Sequence, residues 1–164
     1  MKIMKYYEVT VHDKYTPPNP IGWYGTLDPK TLSLKGIHGI RKHILLLVED
    51  HMQMSFTDVI TFPCFMVSAL VRDVVGMYDT DISFARIIFL DRKNRESKAY
   101  YIVDLPMLYA ANGEKRAIMK VNNKSAGKET VVMRMDLIES ILRRGAVGIG
   151  LKEYGMEGAG NVIY

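Results

Sequence analysis

The sequence predicts an α+β fold: a single domain whose largely antiparallel β-sheet carries a few short helices packed on it. Three observations predict this. Runs of β-branched and aromatic residues with period-two alternation recur, as in "YYEVTV", "ISFARIIFL" and "KAYYIVDL", and such runs belong to half-buried strands. Only Ala69 to Met77 and Leu137 to Arg144 carry clear helical spacing. Two short helices cannot supply the crossovers of a parallel doubly wound sheet, so the strands must run mostly antiparallel. Finally, 164 residues, 48% hydrophobic and 24% charged, make one ordinary domain with enough apolar surface for a continuous core.

Along the chain, Tyr6 to Val11 alternates as a strand, and "TPPNP" from Thr16 then breaks regular structure by removing backbone donors and fixing φ. "IGWYG" follows, an aromatic pair flanked by glycines. Trp23 is open to two readings there, a core plug or an exposed anchor, and the general burial of aromatic side chains favours the core. In "LDPK", Asp28 is placed to cap a turn or short helix, with Pro29 at its first position. Leu32 to His51 fits either period, and "HILLLVED" reads as a buried strand. "FTDVITFPCFMVS" is β-rich but interrupted by Pro63, which belongs at an edge, a bulge or a strand start. Ser68 ends that stretch and caps the helix whose Leu70, Val71, Val74 and Val75 share one face. "DRKNRES" is the polar tip of a hairpin, and Arg116 to Val121 forms a further strand before the loop "NNKSAGKET".

The segment "VVMRMDLIESILRRGAVGIGLKEY" repeats the plan of the first helix. Met66 to Val75 lies over Arg134 to Arg143, with Ser68 matching Asp136, Leu70 matching Ile138 and Val74 matching Leu142. Asp136 is expected to cap, Arg143 and Arg144 to complement the helix end, and Gly145 to allow a left-handed exit. Beyond it, Val147, Ile149 and Leu151 alternate with Gly148 and Gly150, giving one apolar face and one bare face that another backbone can approach.

Nearly every residue of these units has a structural task, and signals of catalysis are thin. His12, His38, His43 and His51 have no metal-ligand spacing, and Cys64, the only cysteine, excludes an intrachain disulfide and a Cys-rich zinc site. No metal and no cofactor is expected. An enzyme would have to use Glu49, His51 or Cys64, the first two in the compact cluster Glu49-Asp50-His51. A nucleic-acid-binding sheet is the other alternative, resting on 22 Lys and Arg against 18 Asp and Glu, a net charge of +4, and on "AYYIV". Alternation sends Tyr100 and Tyr101 to opposite faces, so no two-base platform forms and nucleic acid is not the expected partner. The first residues turn polar before a signal-peptide core develops, and "ILLLV" is too short to span a bilayer. A cytoplasmic protein is expected.

"FPCFMVSALVRDVVGMYDTDISFARIIF", "KAYYIVDL" and the last strand-helix-strand segment together resemble a bacterial immunity-protein family of polymorphic toxin systems. The likeness lies in the phenylalanine-valine-serine step into a helix, here within Phe65 to Val71, in the strand Tyr100 to Leu105, and in the glycine-punctuated close from Asp136 to Glu153. It covers about residues 58–154. The chain departs from the family in Met133-Arg134-Met135-Asp136, where a second valine-serine step is common, and in its basic hairpin tip. The resemblance implies a protein without catalytic groups that binds and neutralises a cognate toxin domain stoichiometrically; it leaves the toxin's identity and any homo-oligomer open. Contacts are expected on segments free of packing duties. Aromatic and arginine side chains are the usual anchors of tight interfaces, which makes Trp23, Tyr24, Arg92, Arg95 and Tyr109 the candidate toxin-binding residues.

Overall fold

Strand β1 (Tyr6–Val11) sets the architecture, because both of its edges are taken by strands from the far end of the chain. The computed structural model describes residues 4–28, 31, 32, 36, 37, 44–105, 116–123 and 128–155. In these it contains, besides β1, strands β2 (Ile44–Leu47), β3 (Val59–Ile60), β4 (Met66–Ser68), β5 (Ser83–Asp91), β6 (Glu96–Asp104), β7 (Ile118–Asn123), β8 (Lys128–Arg134) and β9 (Ile149–Tyr154). Two short helices, α1 (Ala69–Tyr78) and α2 (Met135–Arg143), complete it. The fold is therefore α+β and largely antiparallel, as the strand-rich pattern predicts, but its strands divide into two sheets. One is ordered β7-β8-β1-β9 and the other β2-β5-β6-β4-β3, with β2–β5 the parallel pair.

The main core lies between the sheets and under the helices. Val9, Val131 and Met133 reach it from one sheet, Val59, Val67 and Val103 from the other, and Val71, Val74, Val75, Leu137, Ile138 and Ile141 from the helices. Each such side chain stabilises the fold by roughly 1.5–3 kcal/mol on burial. A second cluster covers the other face of the five-stranded sheet, where Ile87, Phe89, Tyr100 and Ile102 pack under Leu27, Ile37 and Val48. A third, Tyr6 with Met119 and Val132, lies on the outer face of the four-stranded sheet. No helix among the described residues is long and apolar enough to cross a membrane.

Several expectations meet their local cause. Ser68 caps α1, its hydroxyl accepting from Val71 N at 3.4 Å. The β5–β6 hairpin runs from Ser83 opposite Asp104 to Asp91 opposite Glu96, with "RKNR" as its tip. Pro63 lies between β3 and β4, in a turn closed by a cis Phe62-Pro63 peptide. Gly145 has φ +84° and ends α2 as predicted.

Two expectations need correction, and a third is met. The run around Ile44 is not a buried strand: β2 is the edge strand of its sheet, and Leu45 is 54% exposed. Its outward carbonyl at Leu47 accepts from Ile21 N at 2.7 Å, so the edge is partly covered by residues 19–21. Asp136 does not cap α2. The N-cap position is Arg134, without a side-chain cap bond, and Asp136 is held instead by the Arg134 guanidinium at 2.7 and 3.0 Å while accepting from Leu137 N. A charge-assisted bidentate pair outweighs a neutral amide contact, and the spacing of two residues permits it. The bare face of β9 is approached closely, as expected, by Thr57 at Gly148 and by the His12 backbone at Gly150, and it is the buried face. Gly148 and Gly150 are buried, whereas Val147 and Leu151 are 44% and 42% exposed. A Cβ on Gly148, at φ +81°, would collide with the Thr57 side chain, which only glycine avoids.

Candidate interaction surface

The proline-rich segment delivers Trp23 and Tyr24 to the outside of the second core cluster. Gly22 and Gly25 on either side have φ of +72° and +83°, so the chain turns twice around the aromatic pair. Asp28 fixes the loop, accepting from Gly25 N at 2.7 Å and from the Thr31 hydroxyl and amide at 2.8 and 3.1 Å. The Thr31 hydroxyl, followed by the backbone amides of Thr31 and Gly25, holds the Asp28 carboxyl below the usual carboxylate range. The capping role expected of Asp28 is thus met.

Of the two readings of Trp23, the structure bears on the core one. The residue is half-buried and packs against the cluster that contains Leu27 and Ile60, yet its ring also stands edge-on to two neighbours. Tyr24 lies 6.2 Å away between centroids and is 84% exposed; Phe62 lies 5.2 Å away and is 55% exposed. Edge-to-face contacts of this kind order aromatic rings that water would otherwise leave free.

A second group forms at the hairpin tip. Arg92 lines a cleft of about 470 Å³ with Lys93, Ile21, Leu47, Val48 and Asp50. Arg95 is exposed and occupies the left-handed region at φ 54°. Beneath them, buried Asp91 accepts from Asn94 N at 3.4 Å and from Asn94 Nδ2 at 2.8 Å, which holds the loop. Arg92, Lys93 and Arg95 make no side-chain ion pair among the described residues.

The two groups occupy opposite ends of the five-stranded sheet. Phe62 precedes Met66, whose register partners are Ile102 and then Ala85 near the start of β5, while Arg92 follows its end. Ile21, 51% exposed, lines the Arg92 cleft two residues before Trp23 in the chain. Tyr109 lies outside the described residues. Sequence reading missed Phe62, Ile21 and Lys93; the signal for Phe62 was a bulky aromatic before a proline, where a turn puts it outward.

The residues considered for catalysis are not brought together. Glu49 accepts from Asn19 Nδ2 at 2.9 Å, His51 Nδ1 accepts from Gln53 N at 3.1 Å, and both are exposed loop residues. Cys64 is half-buried against the second cluster. No group of three or more His, Cys, Asp or Glu that could hold a metal ion occurs among the described residues. Tyr100 faces inward, fully buried, and donates to Thr57 O at 2.8 Å; burial, and then the charge of Asp58, raises its pKa. Tyr101, on the opposite face as alternation predicts, lies under the Arg72 guanidinium at 4.2 Å.

A buried carboxylate that joins distant segments was not singled out by sequence. Asp58, 6% exposed, accepts from the Ser68 hydroxyl and from Val147 N, both at 2.6 Å. Its own amide and carbonyl join Val147 O and Ser68 N at 3.0 and 2.9 Å. One carboxylate thus ties the entry of β3 to the cap of α1 and the approach to β9.

No family model matches the chain, and no curated protein matches it either.

Proposed function

We propose that the protein is an immunity protein, acting in the cytoplasm by binding a cognate bacterial toxin domain stoichiometrically and without catalysis. The observation that carries this reading is the outward aromatic group Tyr24, Trp23 and Phe62, with Trp23 packed on the core; the cations of the hairpin tip form a second exposed group. Surfaces that bind proteins tightly concentrate their affinity in aromatic and arginine anchors held by a rigid support. The reading also rests on the likeness of residues 58–154 to the immunity family, including the Phe65 to Ser68 step that the structure uses to cap α1.

The test is to co-express the chain with the toxin domain encoded beside its gene and to score survival of the host, then to titrate the purified pair calorimetrically. Survival with a one-to-one complex is expected. Tyr24→Ala should weaken the complex by about 2 kcal/mol, roughly thirtyfold, without changing the unfolding midpoint. A neighbouring toxin that kills regardless, or that forms no complex, sinks the proposal.

A further inference from the structure

Strand β9 ends its sheet, with β1 as its neighbour on one side. The register decides which way each peptide group points. His12 N donates to Gly148 O at 2.8 Å, and Thr10, Glu8 and Tyr6 stand opposite Gly150, Lys152 and Tyr154. Hydrogen-bonded and non-bonded pairs alternate along an antiparallel ladder. Gly148, Gly150, Lys152 and Tyr154 therefore turn amide and carbonyl toward β1, whereas Val147, Ile149, Leu151 and Glu153 turn theirs away. Val147 confirms the phase, since its amide and carbonyl are both taken by Asp58. Beyond Val147, the outward groups of Ile149, Leu151 and Glu153 have no hydrogen-bond partner among the described residues. Leu151 is 42% exposed beside them.

Native edge strands are usually blunted by proline, bulges or inward charges. This edge carries no proline and no bulge at its outward positions; its charges, Lys152 and Glu153, stand opposite Gly150 and Ile149 in one register, in which the sequence complements itself. We propose that β9 is a dimerisation edge, at which a second copy of this chain adds its own β9 antiparallel about a twofold axis through Leu151. In that register Ile149 stands opposite the second copy's Glu153 and Leu151 opposite its twin, so all three outward residues exchange both of their bonds. The two exposed leucines meet at the axis, and Lys152 lies opposite a glycine. Other registers are worse. Moving the axis to Gly150 sets Glu153 against Val147, whose groups Asp58 already holds. Moving it to Lys152 sets lysine directly against lysine, which is destabilising. An isologous contact requires such self-complementarity, and here one register supplies it.

One strand edge buries less than the roughly 800 Å² per partner of a standard interface, so association is expected in the micromolar range or weaker. Sedimentation velocity on the full chain, from about 1 to 500 μM, reads it directly. The expected result is a concentration-dependent rise toward twice the monomer mass. Two variants locate the contact. Leu151→Pro removes an outward amide while sparing the ladder to β1, since proline is tolerated where the N–H faces solvent. Leu151→Lys sets like charges at the axis and covers the case in which the proline variant fails to fold, as judged by circular dichroism. Each folded variant should weaken the dimer at least about tenfold. A parent protein of monomer mass at the highest concentration overturns the proposal, and so does a dimer that persists in the folded variants.

Discussion

Removing the Asp58 carboxylate tests whether one buried acid joins the two halves of the core. In Asp58→Ala the backbone bonds to Val147 and Ser68 survive, but two donors lose their acceptor. The Ser68 hydroxyl is 1% exposed and has no water to turn to, so its loss falls near the middle of the roughly 1–3 kcal/mol cost of an orphaned buried group. Val147 is 44% exposed, and water partly replaces the bond to its amide, leaving about 1 kcal/mol. The sum is about 3 kcal/mol, which for a chain of this size lowers the melting temperature by roughly 6–12 °C. Asp58→Asn keeps the shape and one acceptor, and should cost about 1 kcal/mol. Differential scanning calorimetry at neutral pH measures both. The double variant Asp58→Ala with Ser68→Ala should fall short of the summed single effects by about 1 kcal/mol, because the pair shares one bond. A melting temperature for Asp58→Ala within about 2 °C of the parent would refute the reasoning.

Trp23→Ala should cost roughly 2–3 kcal/mol in urea unfolding, since the indole is half core, while Tyr24→Ala should leave the midpoint unchanged. Gly148→Ala should destabilise by clearly more than Gly145→Ala, which meets open space and costs about 1–2 kcal/mol for the left-handed backbone alone; urea midpoints compare the two. The Asp136 carboxyl is held low by Arg134 and that of Asp28 by the Thr31 hydroxyl, so the stability they contribute is present above the unfolded carboxyl pKa and is lost as pH falls through the folded values. Asp136→Asn should flatten the acid limb of a plot of melting temperature against pH. Burial raises the pKa of Tyr6, Tyr100 and Tyr154, which stabilises the fold below the unfolded tyrosine value and withdraws that support as pH climbs past about 10. Tyr100→Phe should reduce that alkaline loss.

What the sequence discloses is what local chemistry decides. The valines of α1 and the Ser68 cap lie within a few positions of one another, and the tip "DRKNRES" separates two β-rich runs; each is legible because cause and effect are neighbours. The division into two sheets is not, since β1 chooses partners near the other end of the chain. The same distance hides Asp58, whose carboxylate meets Ser68 ten positions on and Val147 eighty-nine positions on. Asp136 looked like a cap because capping is the usual use of such a residue at a helix start, and the competing Arg134 needed only its position on the same turn to win it. Of the candidate surface, Trp23, Tyr24, Arg92 and Arg95 were readable as aromatic or basic residues in connecting segments. Phe62 joined them only through a tertiary contact.

The place of β1 in the middle of its sheet also bears on how the protein comes into being. Synthesis proceeds at roughly 5–20 residues per second, and early segments can pack before late ones exist. All strands of the five-stranded sheet lie within residues 44–104, so that sheet can assemble, with Trp23 against Phe62, while the rest is still on the ribosome. β1 cannot join anything of the kind: its Thr10 must wait for Gly150, 140 positions later. The aromatic group around Trp23 rides on the part that can assemble first, and the first strand made is the last to be enclosed.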